Sequence, residues 1–207
     1  MLRVTLVLIV GFVAASFAAQ TLGAARPSPL APLFTNPDGT RCEMPCLFGI
    51  RPGVTTRTEA VALFKAHPFT SAVRAQYTPS EDLGDDTMTF SAPSVTFVIK
   101  FAHSADEHVT DVILHLSDGK TVPASAAEVV AFLNTPQKVD VGALIVLWFD
   151  PTITVVIEPG DLANAVPRLQ LADKVISLWV HEPVPTTSRG QDWCGFTARS
   201  CAISTIQ

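Results

Sequence analysis

Two histidines and two carboxylates share one short stretch, His103-Ser-Ala-Asp106-Glu107-His108. Imidazole nitrogens and carboxylate oxygens are zinc donors, and bound zinc activates water for hydrolysis. A metal-dependent envelope hydrolase using His103, Asp106 and His108 is therefore one expectation. Zinc sites, however, take three or four donors fixed by rigid elements, and this stretch reads as a polar hairpin loop, so no metal is assigned. His115 falls in mid-strand and His181 near a strand end, neither with a spaced partner. No Gly-x-Ser-x-Gly turn, phosphate loop or dinucleotide fingerprint occurs. Nothing in the sequence brings two of Asp111, Asp150 and Glu158 together as a glycosidase would need. The expectation is a non-enzyme with no catalytic residue and no cofactor.

Four cysteines form two close pairs, Cys42/Cys46 and Cys194/Cys201, at the two ends of the body of the chain. Their spacing is not the redox Cys-x-x-Cys, so structural disulfides are expected. Three connectivities are open. Aromatic residues are the other candidates for binding. Trp148 and Phe149 lie in an apolar strand and read as core. Trp179 alternates with Ser177 and His181 and reads as outward-facing. Trp193 and Phe196 sit in the cysteine-bracketed tail, which either plugs the sheet or meets a partner. Exposed tryptophan is enriched at interface hot spots, which makes Trp179, His181, Trp193 and Phe196 the candidate contacts.

These residues need elements to hold them. A chain of 207 residues with 48% apolar content and a net charge of −5 is globular and lacks the basic stripe of a nucleic-acid binder. Residues 1–25 read as a signal peptide or a membrane anchor: Arg3 precedes an almost unbroken apolar run from Val4 to Ala19. Export to the cell envelope or beyond follows, with membrane contact only through this segment if it stays uncleaved. Pro27, Pro29, Pro32 and Pro37 then make residues 26–41 an extended linker. The acidic run Glu81-Asp82-Leu-Gly-Asp85-Asp86 reads as a solvated loop.

The body of the chain repeats itself. Thr56-Arg-Thr-Glu59-Ala-Val-Ala-Leu-Phe64 returns as Ser125-Ala-Ala-Glu128-Val-Val-Ala-Phe-Leu133. Both open with a capping box, Thr56/Glu59 and Ser125/Glu128. Val95-Thr-Phe-Val-Ile-Lys100 returns as Ile153-Thr-Val-Val-Ile-Glu158, and Asp111-Val-Ile as Lys174-Val-Ile. The predicted order is a helix ending at His67-Pro68, weak strands at 73–77 and 87–90, and strong strands at 95–101 and 109–116. A second helix to Asn134 and strands at 144–149, 153–158 and 175–180 complete it. One conflict stands. Under this alignment Val112, Leu114 and Leu116 have the opposite parity to Ile176, Leu178 and Val180. Either the register is off, or both faces of that strand are covered.

The segment Gly49-Ile-Arg-Pro-Gly-Val-Thr55, with its helix and His67-Pro68, resembles the Gly-x-Thr helix start of small helix–sheet proteins of the bacterial envelope. These are the outer-membrane assembly small lipoproteins and, in tandem form, the β-lactamase inhibitor proteins. Pro-Cys-x-x-Gly-Ile-x-Pro-Gly-x-Thr, residues 45–55, also resembles a box in exported bacterial proteins of unknown function. The match covers residues 45–68, with an echo at 122–136 that lacks Gly-x-Thr. The resemblance implies a non-enzymatic module that binds another envelope or extracellular protein. No inhibitor contact residue carries over.

The expected fold is α+β: two tandem helix-plus-antiparallel-strand units at 42–118 and 119–183, sharing one sheet with both helices on one face, then a Cys/Trp tail at 184–207. The expected function is an exported protein-binding module. A purely structural envelope protein is a further alternative.

Overall fold

Thr56 and Ser125 start their helices by the same device. Each hydroxyl accepts the backbone N–H of the glutamate three residues on, and that carboxylate takes the cap N–H in return. The helices are α1, Arg57–Ala66, and α3, Ala126–Leu133. Thr56→Ala and Ser125→Ala should each lower stability by about 1 kcal/mol, read as a shift in urea midpoint at constant slope.

The computed structural model describes residues 28–76, 80–83, 87–92, 95–102, 107–116, 124–160, 169–183 and 190–193. The 1–25 segment, and with it the choice between signal peptide and anchor, lies outside them. Among the described residues, no helix is long and apolar enough to cross a membrane.

The fold is α+β, built on one antiparallel sheet. Its strands are β1 (Ser80–Leu83), β2 (Thr87–Ala92), β3 (Val95–Phe101), β4 (Val109–Leu116), β5 (Lys138–Val141), β6 (Ile145–Phe149), β7 (Ile153–Glu158), β8 (Lys174–His181) and β9 (Gln191–Asp192). They lie side by side in the order β1-β2-β3-β4-β8-β7-β6-β5-β9. Two meanders therefore meet at β4 and β8, the last long strand of each half.

Hydrogen bonds tie each helix start to that last strand in the same way. Thr56 bridges His108, and Ser125 bridges Lys174. Val109 N–H donates to Thr55 O and Val175 N–H to Ala124 O, at 2.9 and 3.1 Å. Arg57 N–H donates to Glu107 O and Ala126 N–H to Asp173 O, at 3.0 and 2.8 Å. Val109 thus occupies the position of Val175, and Asp111 does not occupy that of Lys174. Counted from these bonds, the two stretches line up three residues away from the Asp111/Lys174 match. Val112 now matches Leu178 and Leu114 matches Val180, all four buried, and the parity conflict disappears. The β3/β4 ladder shifts between Lys100 and Phe101 where it skips Thr110. The β7/β8 ladder shifts between Val156 and Ile157 where it skips Ile176. Counted from these bulges, Phe97 stands where Ile153 does, two residues away from the Val95/Ile153 match read from the sequence.

Alternation puts one face of every long strand into the core. Phe97, Ile99, Leu114, Leu178, Val155 and Leu147 are at most 1% exposed. Helix α1 lays Phe64 on Phe97 and Phe90, with centroids 5.2 and 5.8 Å apart. From α3, Ala126 and Val129 join the same core.

Three further sequence expectations change. Residues 73–77 were expected as a weak strand; the chain instead forms α2, Pro68–Gln76. Pro68 ends α1 as expected, yet it also opens a helix, because proline fits the first helical turn, where its missing N–H costs nothing. Part of the acidic run is a strand, since β1 pairs Glu81 with Phe90 and Asp82 with Thr89. The proline-rich segment is no free linker from Leu30 onward. Leu30, Leu33 and Phe34 are each 1% exposed, spaced so that the short 3₁₀ turn Ala31–Phe34 drives them into the core. They meet Phe48, whose N–H donates to Leu33 O at 2.7 Å. Cys42 and Cys46 are bonded to each other, closing the loop beside them. Cys194 and Cys201 lie outside the described residues.

Candidate functional site

The far face of the sheet carries the chemistry. Where β4 meets β8, Ile113 stands opposite Trp179; Trp179 stands opposite Thr154 of β7, and Thr154 opposite Trp148 of β6. These four form one row across the strands, all pointing away from the helices. With strands about 4.8 Å apart, the two tryptophan Cα atoms are roughly 10 Å apart.

Trp179 is pinned. Its Nε1–H donates to Ser177 Oγ at 2.5 Å. Ser177 Oγ lies 3.2 Å from Leu114 O, which accepts from it, and 3.1 Å from His115 Nδ1. The His115 ring meets the indole edge-on, centroids 6.5 Å apart. Burial holds the His115 imidazole below its ordinary pKa of 6.5, so the neutral ring is favoured here. On the other side of Trp179, His181 Nε2 is 3.1 Å from Thr154 Oγ1. His181 Nδ1–H donates to Glu182 O at 2.7 Å. Ser177 and Thr154 are buried between these larger side chains, at 4% and 6% exposure.

Trp148 belongs to this face and not to the core, contrary to expectation. It is half-buried in a strand whose core residues are Ile145, Leu147 and Phe149. Gly190 lies against it at φ +89°. A Cβ there would meet Trp148 Cζ3 at 2.8 Å and Val139 O at 3.1 Å, so only glycine fits.

Of the four contacts read from the sequence, Trp179 and His181 come together on this face. Trp193 does not join them: it follows β9 at the sheet edge, donates its N–H to Gln137 O at 3.1 Å, and packs half-buried on the core. Phe196 lies outside the described residues. So do His103 and Asp106 of the hydrolase alternative. Their companion His108 is engaged elsewhere, with Nε2 2.7 Å from Glu182 Oε1. Among the described residues, no group of three or more potential metal-ligating side chains occurs.

His115, Ser177, Thr154 and Trp148 were missed as site residues. The signal for the first two was available. Pairing Ile113 with Trp179 puts His115 opposite Ser177 automatically, but which strands pair is not written in either strand's own pattern.

A second feature lies on the helix side of the sheet. A cleft of about 340 Å³ opens between the disulfide loop (Arg41, Met44, Pro45), the end of α3 (Phe132 to Thr135) and the β6–β7 turn (Phe149 to Ile153). The Arg41 guanidinium sits 6.0 Å from the Phe132 ring centroid. No protein-family model, curated protein or solved structure matches the chain.

Proposed function

We propose that this chain is an exported, non-catalytic protein-binding module of the bacterial cell envelope, made of two copies of one helix–sheet unit. The two-copy reading is supported by the matching capping boxes, the matching helix-to-strand bonds and the bulge at the same place in both ladders. Export is supported by the N-terminal apolar run and by the Cys42–Cys46 bond, which suits an oxidising compartment.

One observation carries the binding role. Trp179 and Trp148 share a row on the sheet face away from the helices, and Trp179 is locked by Ser177. A fixed aromatic loses little side-chain entropy on association, and burying its large surface is what interface hot spots are made of. His181, fixed between Thr154 and Glu182 O, supplies a polar contact beside it.

The test is a photo-crosslinking residue at position 179, compared with one at Leu171, which is 57% exposed. Position 179 should give one discrete adduct in the envelope of the native bacterium, and Leu171 none. Trp179→Ala should then weaken the purified pair by about 30-fold, the effect of a 2 kcal/mol hot spot. Unchanged affinity in that variant would remove Trp179 from the interface.

A further inference from the structure

Resting on the reading of the sheet face as a binding surface, we infer that the protein docked there is a second copy of this chain, the two sheets stacking face to face. An antiparallel sheet with one face in water alternates apolar-in with polar-out. The row across this face breaks that rule: Val98, Ile113, Trp179 and Trp148 stand on it, and Val156 and Val146 stand in the next row. None of these six belongs to the core cluster or packs against it, although Ile113 is only 4% exposed. They form a second apolar layer. The described helices all lie on the other side of the sheet, where α1 and α2 meet Phe97 and α3 supplies Ala126 and Val129.

Charge and area decide the occupant. Three charged couples border the layer on the same face. Lys100 stands opposite Asp111, Lys174 opposite Glu158, and Lys138 two residues before Asp140 on β5. Each couple shows both signs, and together they carry no net charge, while the whole chain carries −5. A strongly charged partner finds no matching field here. A copy turned about a two-fold axis through the layer brings lysine to carboxylate, and every such contact is made twice. An apolar centre inside a polar rim is the anatomy of a specific interface. The strands from β3 across to β5 span about 29 Å and five residues of strand about 17 Å, so the face covers about 500 Å² in plan. Two such faces bury at least about 1,000 Å², where specific interfaces begin. Stacking two antiparallel sheets is also a stable way to close an apolar face.

The test is sedimentation of the full chain purified from the native bacterium. It should form a dimer with a Kd of about 1 µM or tighter, the weak end for an interface of standard size. Val156→Lys places an unpaired charge inside the layer, at a position that faces away from the core. It should weaken self-association at least about 100-fold while the circular dichroism spectrum of the folded chain is kept. Leu171→Lys, at a 57% exposed position outside the strands, should leave the dimer unchanged. A chain still monomeric at about 100 µM, or a dimer that survives Val156→Lys, would overturn the proposal. The photo-adduct at position 179 separates this inference from the reading beneath it. Two copies of the chain in the adduct support both. A different protein in it overturns the second copy and leaves the binding role standing. No adduct, together with a monomeric chain, removes both.

Discussion

Phe97→Ala is expected to cost about 3–5 kcal/mol, the range for removing a fully buried aromatic side chain. Phe97 is 1% exposed and meets five neighbours at once: it lies within 5.2–6.2 Å, centroid to centroid, of Phe48, Phe64, Phe69 and Phe90, and it faces Leu114 across the ladder. Those rings come from the disulfide-loop segment, α1, α2 and β2, so a cavity there loosens four elements together. Total stability of a domain is about 5–15 kcal/mol, so the variant should sit near its unfolding threshold at 37 °C. Urea unfolding should show a midpoint far below wild type with an unchanged slope. Ile153→Ala is the informative comparison. Ile153 is buried but lines the cleft beside the disulfide loop, so its cost should fall near 2 kcal/mol, the low end for isoleucine. Equal losses at the two positions would mean that the cleft closes in solution.

The contrast also shows what pattern could and could not reveal. Helices α1 and α3 were legible because a capping box is a local device, complete within four residues. The strands β3, β4, β7 and β8 were legible because each buries one face, which writes a period of two into the sequence. The registers of β3 against β4 and of β7 against β8 were not, since Thr110 and Ile176 are extra residues whose presence depends on the neighbouring strand. Helix α2 was hidden behind Pro68, which signals both an ending and a beginning. Trp148 shows the same limit at the site. A run such as Ile145-Val-Leu-Trp-Phe149 is apolar on both faces, and only the assembled sheet decides which side is core. His115 and Ser177 stand 62 positions apart in sequence, and no local motif could have joined them.

Acid should weaken the fold through His67 before any carboxylate takes part. The ring is 1% exposed and its contacts assign the tautomer. Nδ1 accepts Phe69 N–H at 3.2 Å, so the proton is on Nε2, which donates to Thr35 Oγ1 at 3.2 Å; Thr35 donates onward to Pro32 O at 2.8 Å. This chain of donors ties the 3₁₀ turn to the junction of α1 and α2. Burial holds the His67 pKa below its ordinary 6.5. The unfolded chain therefore binds a proton near pH 6.5 that the folded chain refuses, and by linkage the stabilisation present above pH 6.5 is lost as the pH falls below it. His115, also held down by burial, acts in the same window and direction. Glu59 is lowered by its bonds to Thr56, and its contribution is lost only below about pH 4.5, so the two windows separate. His67→Gln should flatten the fall in urea midpoint between pH 6.5 and 5, and His115→Gln should remove a further part. At neutral pH His67→Ala should itself cost about 1–3 kcal/mol, because Phe69 N–H loses its acceptor in a closed site. A His67→Gln protein with the wild-type pH profile would show that the ring already takes up its proton while the fold is intact.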